Sequence, residues 1–68
     1  MYGTAEITVF GTCGSATYYR RCNDSDGIYD ILEPICGHET AADAASWCEL
    51  ASIGEVYAEE DFEIIITA

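Results

Sequence analysis

The hydrophobic pattern of the chain begins with a clean alternation. In Thr4 to Phe10, residues Ala5, Ile7 and Val9 share one side, and Thr4, Glu6 and Thr8 the other. Such a period of two predicts a half-buried strand. Gly11-Thr12-Cys13-Gly14-Ser15 follows and reads as a turn. With Cys13-Gly14 at its centre, Val9 pairs with Tyr18 and Ile7 with Arg20, and residues 16–22 form the second strand of a hairpin. Ala16, Tyr18 and Cys22 then face the core, with Arg20 snorkelling outward at the edge. Asn23-Asp24-Ser25-Asp26-Gly27 is the strongest loop signal. Ile28 to Glu33 reads as a third strand, stopped by Pro34, which cannot donate to a ladder.

The period changes after Gly37. Thr40 is a candidate N-cap with Asp43 in a capping-box position, and the pattern predicts a helix from Ala41 to Ile53, closed by Gly54 at C′. On a helical wheel Ala41, Ala44, Trp47, Cys48 and Ala51 share one face, while Ala42, Ser46 and Glu49 turn to water. The last stretch, Glu55 to Thr67, reads as the central strand, with Phe62, Ile64 and Ile66 towards the helix and Glu63, Ile65 and Thr67 away from it. The expected fold is one α+β domain over residues 1–68: a mostly antiparallel sheet of about four strands, in chain order β-β-β-α-β, covered on one face by a single helix. A crossover through that helix would lay the last strand parallel to the first.

Charge changes the picture more than composition does. Half of the 68 residues are hydrophobic, too many for a disordered acidic tail. Yet 13 acidic residues face only two basic ones, Arg20 and Arg21, and the net charge is −11. A surface of one sign repels itself and is costly to keep, unless the field serves a partner or a saline environment. Direct binding to nucleic acid or to an anionic membrane is disfavoured, since both are polyanions. No basic, apolar leader and no run of membrane-spanning length is visible, so a cytoplasmic location is expected. In that setting the four cysteines, at 13, 22, 36 and 48, are expected as reduced thiols, although an even count also allows two disulfides in three pairings.

The carboxylates fall into two clusters. Glu55, Glu59, Glu60, Asp61 and Glu63 form one; Asp24, Asp26, Asp30 and Glu33 form the other. The second cluster has an alternative reading as a calcium loop. Counted from Cys22, Asp24, Asp26, Asp30 and Glu33 occupy ligand positions 3, 5, 9 and 12, with Gly27 at the sharp turn. Cys22 at position 1 is a poor ligand for a hard cation, and no metal or other cofactor is favoured. Cys36-Gly37-His38 lacks the short paired spacing of structural zinc sites. No nucleophile–base pair or phosphate-binding loop stands out, so the chain reads as non-enzymatic.

Carboxylates fixed on a rigid scaffold can stand in for the phosphates of DNA. A very small, strongly acidic, lysine-free domain of sheet and helix resembles the phage-encoded anti-CRISPR and DNA-mimic inhibitors in size, charge and economy. The resemblance covers the chain in style and rests on no shared motif. It implies a partner that is a basic nucleic-acid-binding protein, such as a CRISPR effector complex in the bacterial cytoplasm, engaged through the two acidic clusters. The alternatives are a small structural or calcium-binding domain, and an acidic interaction adaptor that forms a homodimer through an exposed strand edge, with Ile65 on the open sheet face.

Overall fold

A computed structural model describes residues 2–68 and has the element order β1 (Thr4–Gly11), β2 (Gly14–Arg21), α1 (Ser25–Cys36), α2 (His38–Leu50), β3 (Val56–Ala58) and β4 (Phe62–Thr67). The four strands form one sheet in the order β2-β1-β4-β3. Every neighbouring pair is antiparallel. Three sequence expectations are thereby corrected. The chain order is β-β-α-α-β-β, there are two helices rather than one, and β4 runs antiparallel to β1.

The expected third strand is helix α1. Ile28, Ile31, Leu32 and Ile35 recur at helical spacing, and Ile28 and Leu32 are fully buried. Asp24 supplies the N-cap, its carboxylate accepting the Gly27 N–H at 3.1 Å. Gly27 is what lets it sit there, because a Cβ at this position would collide with the Asp24 carboxylate. Pro34 lies in the last turn of the helix, so the single hydrogen bond it removes is lost where the helix is about to end anyway. Gly37, at φ +87°, closes α1 by donating its N–H to Glu33 O at 2.9 Å and is also the N-cap of α2. The second helix therefore starts at His38, ahead of the expected Thr40 cap, and gives way at Ala51 rather than at Gly54.

The expected long acidic strand is a hairpin. Val56–Ala58 pairs with Glu63–Ile65, and Glu59 N–H donates to Phe62 O at 2.9 Å. Glu59, Glu60 and Asp61 therefore make its tip. In the first hairpin Val9 pairs with Ala16 and Ile7 with Tyr18, so the register sits two residues from the expected one. Thr12 and Cys13 are the turn residues, and the positive φ falls on Gly14. A shift of two leaves every side chain on its expected face.

Both helices cover one face of the sheet. Ala5 and Ile7 of β1, Phe62, Ile64 and Ile66 of β4, Ile28 and Leu32 of α1, and Ala41, Ala44, Ala45 and Cys48 of α2 make the core, together with Cys22. The small residues of α2 let it lie close to its neighbours. Trp47 and Phe62 bracket Tyr57, with ring centroids 5.2 and 5.9 Å from it. The helices stop short of β2, all eight residues of which are exposed.

Candidate acidic surface

The folded chain re-sorts the sequence clusters. The β1 and β4 strands place the Thr12–Cys13 turn and the Glu59–Asp61 turn at the same end of the sheet, where Phe10 N–H donates to Asp61 O at 2.9 Å. Helix α1 brings its C-terminal turn to this end. Burial pushes the Cys36 thiol up from its ordinary value, and the carboxylates of Asp61, Glu59 and Glu33 push it further in the same direction. Tyr57 is raised by burial first, then by Glu59 and Asp43. The last turn of α1, at Cys36, thus ends beside Glu59 and Asp61, and Tyr57 lies near both Glu59 and Asp43 of α2.

The other residues of the sequence clusters disperse. Asp24 and Asp26 sit at the start of α1, at the opposite end of the fold, and the Asp24 carboxylate is occupied as a helix cap. Asp30 is exposed on the outer side of the same helix. Glu55 lies beyond the C-terminus of α2, where its carboxylate accepts the Ser52 N–H. Glu63 stands on the open face of the sheet, opposite Thr8 and Ala58 and away from the helices. The calcium-loop alternative is corrected by α1: residues 25–36 are helical, and a helix cannot wrap Asp26, Asp30 and Glu33 around one ion. Among the described residues no group of three or more His, Cys, Asp or Glu is placed to hold a metal ion.

What the helices present instead is a pair of charged rows. Asp26, Asp30 and Glu33 of α1 are exposed at steps of four and three residues, and Glu39 and Asp43 of α2 at a step of four, with Glu49 six residues further on and about 120° round the helix. At 1.5 Å per residue these steps are about 6 and about 4.5 Å. The α1 row carries about one carboxylate per 5 Å of helix axis, roughly a third of the charge density of duplex DNA. In the sequence Asp43 stands only as a capping-box residue and Glu49 only as water-facing; neither they nor Glu39 are among the partner-binding candidates. All of the acidic residues except Glu6 follow Cys22, and no lysine or arginine lies among them. Arg20 and Arg21 end the edge strand β2, at the end of the sheet away from the Glu59–Asp61 tip and next to the start of α1, where Asp24 N–H donates to Arg21 O at 3.0 Å.

The thiols are reduced: Cys13 is exposed at the hairpin turn, Cys36 is half-buried, and Cys22 and Cys48 lie in the core. Burial, followed by the neighbouring Cys22, pushes the Cys48 thiol up to about 12. Tyr29 of α1 and His38 of α2 meet edge to face across the helix junction, with the hydroxyl 2.6 Å from Nδ1. No helix is long and apolar enough to cross a membrane among the described residues. No family model matches the chain, and neither a curated protein nor a solved structure matches it.

Proposed function

We propose that this protein is a non-enzymatic inhibitor that occupies the nucleic-acid groove of a basic DNA-binding protein, with its helical carboxylate rows and acidic tip in place of phosphates. The observation that carries this reading is the segregation of charge. The outer sides of both helices and the Glu59–Asp61 tip are acidic and exposed, and the two arginines are confined to edge strand β2, at the end of the sheet opposite that tip. A basic groove would meet a continuous negative field, which favours fast encounter and strong salt dependence. A phage-encoded inhibitor of a CRISPR effector complex, acting in the host cytoplasm, is the setting that the small size and charge fit best.

The test is a triple charge reversal, Glu59→Lys, Glu60→Lys and Asp61→Lys. All three side chains are exposed in the turn, so the substitutions leave the core intact. Close charge pairs across an interface couple by about 1.5 kcal/mol or more each, so three together should weaken binding on the order of a thousandfold. A pull-down from bacterial lysate should recover a DNA-binding complex that is released by salt and by competing duplex DNA. Undiminished affinity in a folded triple variant would remove the mimic reading.

A further inference from the structure

Among the described residues, the outer edge of β2 is a long stretch of backbone that no other strand pairs. β2 is the outermost strand of the sheet, and both of its faces are exposed along its whole length. Which of its backbone groups point outward follows from the register. Phe10 N–H bonds towards β4, and Cys22 N–H donates to Gly3 O at 3.1 Å across the first hairpin. In an antiparallel ladder these directions alternate. Gly14, Ala16, Tyr18 and Arg20 are therefore spent on β1; Ser15, Thr17 and Tyr19 turn their N–H and C=O groups outward, and Arg21 its N–H, its C=O accepting the Asp24 N–H at 3.0 Å. The Arg20 guanidinium donates to the Tyr19 carbonyl at 2.8 Å, as expected of an acceptor that no strand has claimed.

The side chains on this strand differ from those elsewhere. β2 has no carboxylate in a chain with 13, and it carries both basic residues. It also shows two large aromatic surfaces, Tyr18 and Tyr19, at 40% and 59% exposure. A long exposed edge with tyrosines is a template for strand addition. We propose that the occupant is a second copy of this chain, its β2 laid antiparallel against the first about a two-fold axis at Tyr18.

Charge and size select that occupant. Centring the axis on Tyr18 uses all four outward residues of each copy, placing Arg21 opposite Ser15 of the second copy and Tyr19 opposite its Thr17. On the open face Ser15 is paired with Phe10, and Phe10 N–H is bonded to Asp61 O. Each Arg21 therefore enters a row that runs over a small serine, past the ring of Phe10, to the acidic tip of the other molecule. Arg20 likewise faces Ala16, the smallest side chain on the helix side of the strand. The two Tyr18 rings meet on the axis. The only positive charges of each copy thus move towards the negative end of its mate, while the helical carboxylate rows stay away from the contact. A basic partner drawn to the helices and the tip would find arginines at this edge. The proposal is independent of the inhibitor reading, since it uses a different side of the molecule.

Sedimentation of the full chain across a wide concentration range, with amide hydrogen exchange on the same samples, tests it. The apparent mass should rise from 7.4 kDa towards twice that value. Exchange at Ser15, Thr17, Tyr19 and Arg21 should slow with concentration, while Ala16, Tyr18 and Arg20 stay protected throughout. Thr17→Pro removes an outward N–H that β1 does not use, and Tyr18→Glu places two carboxylates on the axis. Each should hold the mass at the monomer value in a chain that keeps its helical circular dichroism. A wild-type mass that stays at the monomer value overturns the proposal and leaves the edge to a strand of another protein. A dimer whose outward β2 amides still exchange freely, or one that both folded variants preserve, equally overturns it.

Discussion

Raising the pH past the ordinary ionisation of a thiol should unfold this protein through Cys48. Its side chain is fully buried, and burial with Cys22 nearby lifts it from 9.0 to about 12. Below pH 9.0 both the folded and unfolded chains hold the proton, and the shift has no effect. Between 9.0 and about 12 only the unfolded chain releases it, so stability is lost as the pH rises through that window. The loss is about tenfold in the folding equilibrium per pH unit, or about 3 kcal/mol two units above the ordinary value. A domain of 68 residues has roughly 3–10 kcal/mol in total, so the effect is large. The clean assay compares wild type with Cys48→Ala by urea unfolding under reducing conditions, across the alkaline range. The alanine variant starts less stable, by on the order of 1 kcal/mol for a methyl-sized void, but lacks the titration. Tyrosine ionisation affects both proteins and cancels in the difference. The two should exchange order roughly one unit above the ordinary thiol value. A difference that stays constant over the whole range would refute the argument that Cys48 is held protonated by its surroundings.

Other consequences follow from single contacts. Phe62→Ala removes a fully buried ring stacked on Tyr57 and should cost about 3–5 kcal/mol, enough to leave much of the population unfolded at room temperature by circular dichroism. Asp24→Ala should cost about 1 kcal/mol in thermal unfolding, since it strips the cap from α1, whereas Asp30→Ala on the exposed side of the helix should stay within about 0.5 kcal/mol. Gly14→Ala should destabilise the first hairpin by about 1 kcal/mol or more, because φ at this position is +130°. Equal melting temperatures for Asp24→Ala and Asp30→Ala would contradict the capping argument.

How much of this was legible depended on whether the deciding contacts were local. The faces of β1 and β4 and the buried side of α2 follow from periodicity alone, and Ala5, Ile7, Phe62, Ile64 and Ile66 are where alternation puts them. The misreading of α1 has a specific source. Ile28 to Glu33 is rich in β-prone residues and ends near a proline, so a short window favours a strand. The helical spacing Ile28, Ile31, Leu32 and Ile35 emerges only when the window is carried past Pro34, and Asp24 supplies the start that a strand would not need. The Glu55–Thr67 stretch failed for the opposite reason: Glu59, Glu60 and Asp61 were counted as charge on a strand when three adjacent carboxylates are better placed at a turn. The acidic tip itself could not be read from order along the chain. It exists because α1 ends beside the second hairpin, which brings Cys36 and the last turn of the helix to residues 59 and 61.

The pairing of Thr4 with Thr67 has a kinetic side. The two central strands of the sheet are the most distant in the chain, and the innermost pair in sequence, Val9 and Phe62, still encloses nearly the whole molecule. Closing a loop of that length costs about 3–4 kcal/mol of chain entropy before any core is gained, so folding waits on a late, non-local event. During synthesis neither helix has its sheet until the final strand emerges from the ribosome. Joining Thr67 to Thr4 through a short linker, and reopening the chain between Thr12 and Cys13, would make β4–β1 a local hairpin and leave β2–β1 as the distant pairing. Such a circular permutant should therefore fold no faster, its late event moved from the centre of the sheet to its edge.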